Sequence, residues 1–296
     1  MASNDFENDP SKMSKKDRRE HLREVARIRR AEELKRKKRN RILTQIGVVV
    51  GALAVVALVV TMIVNANVEA NRPGPQNMAS DGILFTNSAD AQVVPVSTPA
   101  TAAGEKPTPT KPDADKTNIV IYLDYLCPLC KQFEEANIAG LKDMVGAGDA
   151  TLEIHPISLL DRFAAGTKYS TRSAAAMACV ANYAPDSFLD ASAALFAAAP
   201  QENTAGPNDS VIAQTFKDAG INDAQVATCV TDGEFRNWVD ASTKRVLDGP
   251  LPNTDVEKVT GTPTILVNGE QYGPTKGTGW GDSNDFFAFV AKVAAQ

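Results

Sequence analysis

Asn118–Phe133 reads NIVIYLDYLCPLCKQF, and this stretch decides the fold. Its first half is apolar and β-branched, the pattern of a buried strand. A short turn leads to Cys127-Pro128-Leu129-Cys130, and a helical pattern follows. Pro128 suits the first helical position, where its missing N–H costs nothing and its fixed φ matches the helix. Cys127 then stands at a helix N-terminus, where unpaired N–H groups and the positive end of the dipole favour thiolate over thiol. Cys130 falls on the same helix face and within reach of Cys127. A lowered thiol pKa makes a cysteine both nucleophile and leaving group near neutral pH. Strand, turn, reactive cysteine, partner cysteine and helix therefore come in the order that thiol–disulfide exchange needs.

A second stretch, Gly261-Thr262-Pro263-Thr264-Ile265-Leu266-Val267-Asn268-Gly269, reads as a turn, a strand and a tight Asn-Gly turn. In Asp124–Lys131 and Gly261–Thr264 the chain resembles the thioredoxin superfamily, and within it the DsbA-like branch; the likeness runs roughly from Ile83 to Ala294. It implies an α/β (α+β) thioredoxin fold with an all-helical insertion. It also implies that the Thr262–Pro263 bond is cis and faces the cysteine pair. The backbone of Thr262 would then offer an edge for substrate next to Cys127, and Pro263 would shield the thiols from metals. Two departures qualify the likeness. Strong oxidants of the branch often carry His just before the second cysteine; Leu129 stands here, so Cys127 is expected to be acidified less. Many relatives place a buried carboxylate six residues before the first cysteine; Ile121 stands here. Asp124 is either a substitute proton acceptor for Cys130 or a solvent-facing residue at the strand end.

Charge divides the chain. Residues 1–41 hold 15 Lys/Arg against 8 Asp/Glu, net +7, while the remainder holds 16 against 28, net −12. Between them Ile42–Val64 carries no charge and is long enough to cross a bilayer as a helix. Basic residues before the span predict a cytoplasmic head and an extracytoplasmic body. The span is longer than a cleavable signal core, which favours an uncut anchor, although Val68-Glu69-Ala70 weakly resembles a cleavage site. The basic head (1–41), with a helix expected over Lys15–Arg39, reads as a topology signal that touches anionic lipid. Apart from Phe6 it has no aromatic residue, and it has no motif suited to nucleic acid beyond its charge. The expected organisation is head 1–41, transmembrane helix 42–64, tether 65–80 and a thioredoxin-like domain 81–296. Within that domain Asp81–Val96 reads as an edge hairpin and Ser97–Lys116 as an exposed connection. Thr151–Leu159 reads as a strand, and about 167–248 as the helical insertion, with helices over 170–183, 187–199, 210–219, 223–231 and 234–247. Asp282 caps a last helix to Ala294.

Four cysteines allow three pairings, and the spacing of Cys127–Cys130 leaves Cys179–Cys229 as a structural bridge in an oxidising compartment. Zinc would need a second ligand pair. Cys179 and Cys229 lie in different expected helices, His21 in the head and His155 at a strand end, so no metal site is expected. Lys131 and Glu134 read as surface charges, Trp238 and Trp280 as packing residues. No phosphate loop or dinucleotide fingerprint appears, and no bound cofactor is expected. The expected activity is disulfide formation in unfolded exported proteins through Cys127 and Cys130, supported by Pro128, Leu129 and Asp124, with a membrane redox partner to reoxidise the pair. The alternatives are a reductase or isomerase, for instance in cytochrome c maturation, and a non-catalytic thioredoxin-fold binding module.

Overall fold

The computed structural model describes residues 15–70 and 72–296. The chain divides into two compact units, Met1–Val68 and Glu69–Gln296. Helix α1 (Lys15–Ala70) is 56 residues long. Among the described residues it is the one helix long and apolar enough to cross a membrane. A tether beginning at residue 65 is expected; the helix instead runs on to Ala70, because no breaker occurs before Pro73-Gly74-Pro75. The first 14 residues of the head, Asn71 and the side chains of Val68-Glu69-Ala70 lie outside the described residues.

The second unit is built on a mixed sheet of β1 (Ile83–Asn87), β2 (Val93–Pro95), β3 (Thr117–Leu123), β4 (Ala150–Pro156), β5 (Thr264–Val267) and β6 (Glu270–Tyr272). The strand order is β2-β1-β4-β3-β5-β6. β3 lies at its centre, parallel to β4 with Ile121 beside Ile154, and antiparallel to β5 with Ile121 beside Ile265. Every residue of β4 is buried, as expected for a parallel strand covered on both faces. The hairpin of β1 and β2 adds to the other side of β4, with β2 at the margin. The connection 97–116 forms no regular element and is mostly exposed, fastened to the domain by hydrogen bonds. The Thr108 N–H donates to the Ala79 carbonyl at 2.8 Å, and the Thr110 hydroxyl to the buried Glu153 at 2.8 Å.

The alternate residues of β3 explain the two apolar clusters. Ile119, Ile121 and Leu123 enter the main core, and Tyr122 joins a smaller cluster with Ile157, Val246, Leu251, Val259 and Leu266. Helix α2 (Pro128–Ala147) covers the main core and ends at Gly148, whose φ of 87° closes the last turn in a conformation that favours glycine. Helix α8 (Ser283–Ala294), capped by Asp282, packs beside it through a T-shaped contact of Phe133 and Phe286 at 4.9 Å.

Between β4 and β5 stand α3 (Tyr169–Tyr183), α4 (Phe188–Ala197), α5 (Asp209–Asp218), α6 (Ala224–Asp232) and α7 (Arg236–Asp248). Local signals set their ends: Asn208 and Asp223 cap α5 and α6 with their side chains, and Gly233 closes α6. Alanine-rich α3 is almost wholly buried, its small side chains letting the neighbouring helices approach. A disulfide joins Cys179 on α3 to Cys229 on α6. The chain ahead of the sheet is fastened to this layer. Arg72 donates to the Glu234 carbonyl at 3.2 Å, the Gln76 N–H to Asn182 at 2.7 Å, and Asn77 to the Ala181 carbonyl at 2.8 Å.

Candidate active site

β3 ends at Leu123, and the next four residues turn the chain into α2. The Cys127 N–H donates to the Asp124 carbonyl at 2.9 Å, which closes the turn. Cys127 has extended φ and ψ and caps α2, with Pro128 in its first turn. Its Sγ accepts the Cys130 N–H at 3.4 Å, so the helix end supplies a donor directly to the sulfur. The turn before β5 arrives from the other side. The Thr262–Pro263 peptide bond is cis, and Cys127 Sγ lies 3.2 Å from the Thr262 carbonyl, to which the thiol donates. The structure thus brings Cys127, Pro128, Cys130 and Thr262-Pro263 together, while Cys179 and Cys229 sit apart in the helical layer.

Both Cys127 and Cys130 are free thiols. The Cys127 thiol is pulled down from 9.0 to about 6, first by the hydrogen bond from Cys130, against the cost of burial, and then by the Thr262 side chain and the N–H groups of Cys130 and Leu129. This acidification arises although Leu129, 40 % exposed, supplies no charge or side-chain donor. Burial, then its bond to Cys127 and the charge there, pushes the Cys130 thiol well up. One cysteine is therefore set to carry charge near neutral pH and the other to keep its proton. Cys127 is enclosed, with 5 % of its surface open, the Thr262 carbonyl lying against its sulfur.

Asp124 is fully buried, which excludes the solvent-facing reading. Its two oxygens accept the N–H groups of Leu126 at 2.9 Å and Leu160 at 2.8 Å. Burial raises its carboxyl from 3.8 to about 7 against these two bonds, and the charge of Cys127 adds to the rise. Glu134 corrects a second expectation. It is 4 % exposed, not a surface charge, and burial lifts it from 4.5 to about 7. It accepts from the Ser192 hydroxyl at 3.0 Å, and Ser192 in turn meets the Tyr125 hydroxyl at 3.1 Å. The signal for its burial was present in the sequence. Glu134 follows Cys130 by one helical turn, so the spacing that turns Cys130 inward turns Glu134 inward as well. Lys131 does lie toward solvent, 3.8 Å from Glu135. His155 ends β4, buried and stacked on Tyr122 at 4.5 Å, on the face of the sheet that carries the smaller apolar cluster. Trp280 packs on Tyr272, and Trp238 is partly buried against the main core.

Comparison with known proteins agrees with this geometry. A thioredoxin family model matches residues 104–281. Among solved structures, reduced DsbA from Mycobacterium tuberculosis superposes with a TM-score of 0.53 at 24 % identity, over 73 % of this chain and 93 % of that one. The reduced disulfide bond oxidoreductase DsbG of the same organism gives 0.50 at 24 % identity, over 72 % and 87 %. At these identities the likeness is one of fold. No curated protein matches the chain by sequence.

Proposed function

We propose, because the chain belongs to the thioredoxin family, that it is a membrane-anchored thiol–disulfide oxidoreductase of the DsbA type, working outside the cytoplasm as an oxidase of exported proteins. The observation that carries this reading is the Cys127 sulfur, at the α2 N-terminus and against the Thr262 carbonyl, with its thiol lowered to about 6. In this role a substrate thiolate attacks Cys127 of the oxidised pair. The Cys127–Cys130 bond breaks, a mixed disulfide forms, and Cys130 leaves. A second substrate thiolate then attacks the substrate sulfur of the mixed disulfide, releasing Cys127 as thiolate and a disulfide-bonded substrate. Two electrons have entered the pair, and a membrane redox partner must remove them. The Thr262 turn supplies the edge beside which an extended substrate segment docks. A tether raises the effective concentration of the domain at emerging chains and at that partner.

Thiolate stability favours the oxidase direction. A thiol at about 6 instead of 9.0 stabilises the reduced form by about 1.4 kcal/mol at pH 7, or ~30 mV toward a stronger oxidant. Leu129 favours the second reading, a reductase or isomerase, because it adds nothing further to thiolate stability. The redox equilibrium with glutathione separates the two, together with a direct comparison of oxidation of a reduced unfolded protein against reduction of insulin. A potential near that of thioredoxin, with insulin reduced and no substrate oxidised, reverses the direction. A Cys127 inert to alkylation after reduction leaves only a binding module.

A further inference from the structure

β4 places one acid in a row of side chains that is otherwise aliphatic. On the face of the sheet that carries the smaller apolar cluster, the register sets Leu84, Glu153, Val120 and Leu266 side by side across β1, β4, β3 and β5. Three inter-strand spacings make this row about 14 Å long. Glu153 stands second in it and is 5 % exposed. The four residues line a cavity of about 270 Å³ near the start of β3, with Pro112 and Pro252 also in its lining. Cys127 follows the other end of that strand, and the cavity shares no residue with the two turns that hold the redox site.

A buried carboxylate normally has a cation as its partner. Glu153 has hydroxyls and an imidazole instead. Ser80 and Thr110, the latter at 2.8 Å, donate to its Oε1, and His155 Nε2 lies 3.2 Å from the same oxygen. Its Oε2 has no hydrogen bond among the described residues. His155 is a counter-charge only when protonated, and its buried Nδ1 has no partner to receive the second N–H that protonation adds. Burial works to raise the Glu153 carboxyl, yet His155, Ser80 and Thr110 bring it below its ordinary value, so the acid is ionised at neutral pH. Lys116 also lines the cavity, but its ammonium is held by Thr86 at 3.1 Å and Asn87 at 2.7 Å. Asp113 in the wall adds a second negative charge. The cavity therefore offers an aliphatic strip, a fixed anion within that strip, and one carboxylate oxygen left to accept.

We propose that this cavity binds a small organic ammonium ion, its N–H groups donating to Glu153 Oε2 and its hydrocarbon body lying along Leu84, Val120 and Leu266. The carboxylate selects a cation over a neutral or anionic molecule of similar shape, because only the cation compensates its buried charge. The aliphatic neighbours on both sides select an organic cation over a bare hard metal ion, which needs several further oxygen ligands. Among the described residues no cluster of three metal-binding side chains stands here. The inference goes beyond the exchange reaction and does not depend on it.

The test uses the full-length protein in detergent micelles at neutral pH, titrated in a calorimeter with cyclohexylammonium, cyclohexanol and cyclohexanecarboxylate. Cyclohexylammonium is expected to bind one to one and saturably at about millimolar concentration, the range open to so few atoms. The other two are expected to bind at least about tenfold more weakly. Glu153→Gln is expected to lower the affinity for the ammonium about tenfold and to leave that for cyclohexanol unchanged. Partition into the micelle is common to both proteins and cancels in the comparison. Absence of saturable ammonium binding overturns the proposal, as does equal affinity for the ammonium and the alcohol, or equal ammonium affinity in Glu153→Gln and the parent. Should Glu153→Gln not fold, the parent alone decides. The methyl resonances of Leu84, Val120 and Leu266 are expected to move as cyclohexylammonium is added, and saturable binding that leaves all three in place overturns the proposal.

Discussion

Leu129 and Glu134 mark how much single residues set the behaviour of this site. Leu129 sits between the cysteines, half in solvent, next to a sulfur already stabilised by a helix end. A cation or donor there adds to the stabilisation of the thiolate. Leu129→His is therefore expected to shift the glutathione equilibrium toward the reduced pair, each 30 mV corresponding to about 1.4 kcal/mol; an unchanged equilibrium contradicts the account. Glu134 acts on stability. Its folded pKa of about 7 stands above its unfolded value, so the folded protein binds the extra proton between those two pKa values. Its contribution is complete below about pH 4.5 and is lost as pH rises through 7, up to about 3 kcal/mol in all. Urea midpoints at pH 5 and pH 8 are expected to differ less in Glu134→Gln than in the parent. The two residues also show where sequence reading succeeds. Leu129 is legible because its neighbours in sequence are its neighbours in space. That Glu134 faces inward is legible from its spacing to Cys130, but its hydrogen-bond partner Ser192 comes from α4, which no local pattern announces.

At the scale of elements, β3, α2 and β5 were readable because each carries its own signals: an apolar β-branched run, a proline after the capping cysteine, and an Asn-Gly turn at the end of the strand. The order of the sheet was not readable, since β1 and β2 join it through β4, a partner more than 60 residues along the chain. The helical layer was legible as helices, from caps and breaks, but its packing was not. Its stability gives an element-scale prediction. The Cys179–Cys229 bond closes a separation of 50 residues, and its removal by paired Cys→Ala substitution is expected to cost about 4 kcal/mol by the chain-entropy estimate. Chemical denaturation reads that cost. The Cys127–Cys130 equilibrium with glutathione should not move, because that pair lies outside the stapled helices.

For the molecule as a whole, the proposed reading puts the basic head on the cytoplasmic side of an apolar span and the acidic body outside. The full protein is expected to sediment with membranes and resist extraction by alkaline carbonate, with the domain beginning near residue 72 open to protease from outside the cell. A chain lacking residues 1–68 should stay soluble and keep its redox equilibrium, because Glu69–Gln296 is a compact unit by itself. Loss of thiol reactivity in that shortened chain counts against an anchor that only localises.

The attachment of residues 72–77 to the helical layer has a mechanical consequence. If the chain is anchored as proposed, traction along it would reach the domain at Arg72, Gln76 and Asn77, which are bonded at the ends of α3 and α6. Those helices are covalently riveted to one another, so the load is spread there and the strand that presents the sulfur is spared.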